Sequence, residues 1–92
     1  MKIVKLNRRF RQFKEHGHVV ALRFEGDYVN EAVRYEQACR ERLSSHGWLR
    51  NHSWYGYYGA RNSSWDRNAP RPYWITFRNE ADLTMILLSV DR

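Results

Sequence analysis

Trp54, Tyr55, Tyr57, Tyr58 and Trp65 stand close together in the chain, among Arg50, Arg61, Arg67 and Arg71. The chemistry open to such a set is recognition: flat rings stack on unpaired bases, and guanidinium groups meet phosphates or carboxylates. The enclosing run, WLRNHSWYGYYGARNSSWDRNAPRPYW, holds eight of the fourteen aromatic residues, four arginines and a single acid. A core needs rings, but not rings set among Asn, Ser, Gly and Arg. Each stacked base contributes about 1–3 kcal/mol by alanine substitution, so two or three rings suffice for useful affinity. Trp, Tyr and Arg are equally the usual anchors of protein interfaces. YGYYGA has the flavour of the aromatic strand in RNA-recognition sheets without carrying that signature. The competing use of these rings is closure of the core, to which Trp48 and Tyr73 are assigned.

Other reactive side chains are sparse. His16 and His18 flank Gly17 and can share one side of an extended segment, but a metal needs a third or fourth ligand, for which His46 and His52 qualify only by number. Turn or surface histidines are the simpler reading. Cys39 falls on an apolar helical stripe and reads as core filling. Glu36 precedes Arg40 by four residues, the favourable order for a helical ion pair. No glycine-rich phosphate loop, metal motif or nucleophile elbow is present. These absences lead us to expect a non-enzymatic protein without cofactor.

The formal charge is +6 over 92 residues, unevenly spread. Lys2, Lys5, Arg8, Arg9, Arg11 and Lys14 precede the first acid. Of these, Arg8, Arg9, Arg11 and Lys14 join the aromatic run as candidate contact residues. A basic front and a basic aromatic middle favour an anionic partner, either nucleic acid or an acidic protein face. One small domain, residues 1–92, fits this length. Lone Cys39 excludes an intrachain disulfide framework. No apolar stretch approaches the roughly 20 residues of a membrane span, and the opening MKIVKLNRRF lacks the apolar region of a secretory signal, so the expected location is a cytoplasm.

The elements that must position these residues follow from periodicity. Ile3, Val4 and Leu6 suggest a short strand. Asn7 then reads as the cap of a short helix that ends at Gly17, in preference to a continuing strand. His18 to Phe24 alternates as a strand, with Val20, Leu22 and Phe24 on the buried side. Asp27 to His46 predicts the main helix, its stripe formed by Tyr28, Val29, Ala32, Val33, Cys39 and Leu43 with Tyr35 at the edge. His52 to Tyr58 reads as a strand with Trp54 and Tyr58 on one face, Tyr55 and Tyr57 on the other. Ala60 to Arg71 reads as a loop. Pro72 to Arg78 is a strand, and Asn79 with Asp82 caps a final helix carrying Leu83, Ile86, Leu87 and Val90. The sum is an α+β fold: a small, mainly antiparallel sheet of three to four strands with two main helices packed on one face. The opposite face is expected to present Arg23, Trp74, Thr76 and Arg78.

The front, RRFRQFKEHGHVVALRF, and the close, PYWITFRNEADLTMILL, resemble a loose group of small accessory proteins from tailed bacteriophages. The likeness spans about half the chain and brings no catalytic residue. It implies a phage accessory protein acting in the host cytoplasm, or a minor structural part. The expected function is therefore docking through the basic aromatic surface onto a host protein or nucleoprotein complex, in the manner of an anti-CRISPR-like inhibitor of host defence. Alternatives are a single-stranded RNA- or DNA-binding module, and a self-assembling structural protein in which the aromatic run buries against its own copy.

Overall fold

The computed structural model describes residues 1–25, 30–43, 53–59 and 71–90. The elements are β1 (Lys2–Lys5), α1 (Arg11–His16), β2 (Val20–Phe24), α2 (Ala32–Arg42), β3 (Trp54–Tyr58), β4 (Tyr73–Phe77) and α3 (Glu80–Val90). The strands form one antiparallel sheet in the order β1-β2-β4-β3. This is the expected α+β architecture, and its order of elements is the expected one. Among the described residues, no helix is long and apolar enough to cross a membrane.

Period-two alternation divides the sheet into two faces. Val20, Leu22 and Phe24 of β2, Ile75 and Phe77 of β4 and Trp54 of β3 point toward α2 and α3, where they meet Ala32, Tyr35, Cys39, Leu83, Ile86 and Val90 in the core. Tyr35, expected at the edge of the stripe, is buried and belongs to this core, its ring 5.2 Å from that of Phe24. Val33, expected on the buried stripe, is 63% exposed. The helix is regular only from Ala32, and Glu31 holds the N-cap position without a side-chain bond. Asp27, Tyr28, Val29 and the Ser44–His46 end of the expected helix lie outside the described residues. For α3 the expected cap is present, with the Asn79 Oδ1 accepting the Asp82 amide at 2.8 Å and Glu80 and Asp82 in the first turn.

The other face carries α1. Asn7 does not cap this helix. It makes a turn instead, its Oδ1 taking the Arg9 amide at 2.9 Å and its carbonyl the Phe10 amide at 3.0 Å, so helical geometry begins only at Arg11. Gly17 ends α1 as expected, at φ 69°. Phe10 then packs edge-on against Trp74 at 5.7 Å between ring centroids. His18 Nδ1 lies 2.7 Å from Thr76 Oγ1, and Ala21, His18 and Thr76 have no exposed surface. Two expectations are corrected here. His18 is buried and not a turn or surface residue, and Thr76 is covered and not presented to solvent. A six-residue helix cannot persist alone, so α1 owes its place to these contacts.

Candidate binding surface on the sheet

Where α1 stops covering the second face, rings and cations line up across it. Tyr57 of β3 lies opposite Trp74 of β4, Trp74 opposite Arg23 of β2, and Arg23 opposite Lys2 of β1. The register thus sets two aromatic and two cationic side chains in one row, a strand apart from one another. The Tyr57 and Trp74 rings are nearly parallel, 8° apart in plane with centroids at 6.5 Å. Tyr55, two residues along β3, stacks on Tyr57 at 5.5 Å. The Arg23 guanidinium stands 5.3 Å from the Trp74 ring centroid, a cation–π contact, and also pairs with Glu25.

Gly59 makes this row possible. A Cβ there would lie 2.6 Å from the Trp74 Nε1 and 2.9 Å from its Cδ1, so only glycine lets the indole lie across the end of β3. Tyr55, Tyr57 and Trp74 are all half-buried. Burial, reinforced by Tyr55, raises the Tyr57 phenol above its ordinary value, so it stays a neutral hydroxyl at physiological pH. Thr76 Oγ1 lies 2.7 Å from His18 Nδ1 and 3.4 Å from the Tyr55 carbonyl, which ties the segment after α1 to the strand that carries the rings.

The charges are segregated. Residues 1–25 hold seven lysines and arginines against two acids, and both acids are already paired, Glu15 with Arg11 and Glu25 with Arg23. Arg8, Arg9 and Lys14 are exposed and form no ion pair among the described residues. Arg11 Nε donates to Glu15 at 2.9 Å, and its raised pKa, due first to that bond and then to the charge of Glu15, includes a small contribution from Tyr55. Through Phe10, which packs on Trp74, the turn that leads into α1 borders the ring row. On the helix side, residues 31–42 balance three acids with three arginines, and α3 carries Glu80 and Asp82 with no cation.

The expected contact residues do not all meet. Tyr55 and Tyr57 share the open face, with Arg8, Arg9, Arg11 and Lys14 on the adjoining turn and helix. Trp54 is 1% exposed and belongs to the core, because alternation along β3 turns it toward the helices opposite Phe77. Tyr58 shares that orientation; it is 57% exposed but lies on the opposite side of the sheet from Tyr55 and Tyr57. Arg71 is exposed and donates from Nε to the Gly59 carbonyl at 3.0 Å, bracing the β3–β4 junction. Arg50, Arg61, Trp65 and Arg67 lie outside the described residues. Phe10, Arg23 and Trp74 join the surface without having been among the expected contacts. Alternation put Arg23 and Trp74 on this face, but only strand register places them beside Tyr57.

Of the histidines, His46 and His52 lie outside the described residues. His16 and His18 rings are 6.4 Å apart, and no group of three or more metal-ligating His, Cys, Asp or Glu side chains occurs among the described residues. Cys39 is fully buried, and burial raises its thiol above the ordinary value, as befits an inert core cysteine. Glu36 Oε1 accepts the Tyr73 hydroxyl, while Arg40 stands 4.0 Å away, so the expected ion pair is secondary to a link between α2 and β4. Compared with family models, curated proteins and solved structures, the chain matches none.

Proposed function

We propose that this is a non-enzymatic binding protein that docks single-stranded nucleic acid, free or within a nucleoprotein complex, on the open sheet face. The observation that carries the reading is the register row of Tyr57, Trp74, Arg23 and Lys2, joined through the Phe10–Trp74 contact to the turn and helix that carry the exposed Arg8, Arg9 and Lys14. Rings on a sheet face offer π-surface to bases of any identity, and the exposed cations of the adjoining turn and helix, without an ion pair among the described residues, are available to phosphates. The removal of Trp54 into the core weakens the rival docking onto an acidic protein face, since a protruding indole is the kind of anchor such an interface uses.

Fluorescence anisotropy with a labelled oligo-dT or oligo-U tests this. Affinity is expected to fall steeply between about 50 and 200 mM salt, as counterions return to the strand. Replacing Arg8, Arg9 and Lys14 together by Gln should flatten the log–log salt slope by about 2, at about 0.7 per phosphate contact on a single strand. Tyr57→Ala should weaken binding about tenfold or more in protein that circular dichroism shows to be still folded at the assay temperature. Absence of binding at low salt sinks the nucleic-acid reading and returns the surface to a protein partner.

A further inference from the structure

The helix side of the sheet holds a second arrangement of rings, separate from the row above. Tyr58 and Tyr73 are register partners on β3 and β4, with centroids 4.8 Å apart and planes at 71°. They form two adjoining walls that meet near a right angle. Glu36 reaches into the corner from α2, its Oε1 accepting the Tyr73 hydroxyl. Ala32 and Val33, from the first turn of α2, complete a hollow of about 180 Å³. Gly56 makes room for that hydrogen bond: a Cβ there would strike the Tyr73 hydroxyl and come within 2.9 Å of Glu36 Oε1.

The lining selects its ligand. Tyrosine faces are electron-rich and attract cations, and Glu36 adds a full negative charge in a side chain only 22% exposed. Anions are repelled. A divalent metal needs several oxygen ligands, and one carboxylate does not supply them. A bare ammonium would lose hydration that the alanine and valine methyl groups cannot replace. What fits is a cation with an apolar skin. Arg40 is the nearest charge to Glu36, but at 4.0 Å it is beyond a charge-assisted hydrogen bond, and its side chain is 56% exposed. The α2 N-terminus carries about half a positive charge and opposes a cation less than Glu36 attracts it.

We infer that Tyr58, Tyr73 and Glu36 form a binding site for a methylated ammonium group, of the kind carried by trimethylated lysine or by choline. The site lies across the sheet from Tyr57 and Trp74 and does not depend on nucleic-acid binding. Arg40 is its internal competitor, and this gives the inference a signature that a merely structural Tyr73–Glu36 link would not produce.

The test is an NMR titration of the isotope-labelled protein with tetramethylammonium chloride, following Ala32, Val33 and Tyr58. Sodium chloride at matched ionic strength and neutral 3,3-dimethylbutanol are the controls. Saturable shifts with tetramethylammonium alone are expected, in the millimolar range that exposed cation–π contacts support. Trimethyl-lysine amide and phosphocholine, run in parallel, tell the two biological sources apart. Tyr58→Ala and Glu36→Gln should each weaken binding about fivefold or more, and Arg40→Gln should strengthen it about two- to fivefold. Should Glu36→Gln fail to fold, Tyr58→Ala and Arg40→Gln, both at exposed positions, still decide the matter. Shifts no larger than those from sodium chloride, equal binding of the neutral isostere, or no gain from Arg40→Gln would overturn the inference.

Discussion

Single residues in the aromatic run have unlike tasks, although the sequence makes them look alike. Trp54 and Tyr55 are neighbours in the chain, yet one is sealed between sheet and helices and the other lies on the open face. Trp54→Ala should therefore cost about 3–5 kcal/mol of stability, as for other large buried aromatics, with the urea midpoint as the readout. Tyr57→Ala, at a half-buried position stacked on two rings, should cost less, about 1–2 kcal/mol. The two glycines of the run serve opposite faces: Gly56 makes room for Tyr73 and Glu36, Gly59 for the Trp74 indole. Gly59→Ala should displace the indole, shifting tryptophan fluorescence and destabilising the fold by about 1–3 kcal/mol, the usual range for overpacking. Unchanged fluorescence and stability would mean that the close approach at Gly59 does not constrain Trp74.

Elements differ in what holds them. The N-terminus of α3 is stabilised locally, by Asn79 and by the acids of its first turn, so Asn79→Ala should cost about 1 kcal/mol wherever the helix is placed. Thermal or urea unfolding measures this directly. The short helix α1 is held by tertiary contact. It has no side-chain cap, and its approach to the sheet runs through Phe10 on Trp74, buried Gln12 and the His18–Thr76 bond. Phe10→Ala should raise hydrogen exchange of residues 14–17 while leaving the amides of β2 and β4 protected. Equal loss of protection in the sheet would show that α1 and the strands open as one unit.

At the scale of the whole molecule, charge and burial act together. Among the described residues, the β1–α1–β2 portion is strongly basic, while α2 and α3 are balanced or acidic. Within the core, burial raises the Cys39 thiol above its ordinary 9.0, with help from Glu36 and Asp82. Burial, then Glu36, raises the Tyr73 phenol above 10.0. Both groups hold their protons more tightly when folded. Their contribution is thus complete below about pH 9 and is lost as pH rises further, because the unfolded chain alone gains by ionising. The urea midpoint should be steady to pH 8 and fall between pH 9 and 11, and Tyr73→Phe should remove part of that fall. A midpoint unchanged at pH 11 would contradict these buried environments.

Local chemistry in the chain was enough to determine the order of elements, the face of each strand, the Gly17 stop and the Asn79 cap, because alternation and capping depend on residues a few positions apart. It was also enough to mark the aromatic run as unusual. It could not sort that run. Trp54, Tyr55, Tyr57 and Tyr58 share composition and neighbourhood, and their separation into core, ring row and cation corner came from pairing β3 with β4, distant in sequence. The same pairing brought Arg23 to Trp74, and α1 closed over Thr76 and His18 from still farther away. Contacts of that kind are set by register and by which surface remains to be covered once the core is filled. No short window of sequence carries either quantity, so the place of the open ring row was a decision of tertiary structure alone.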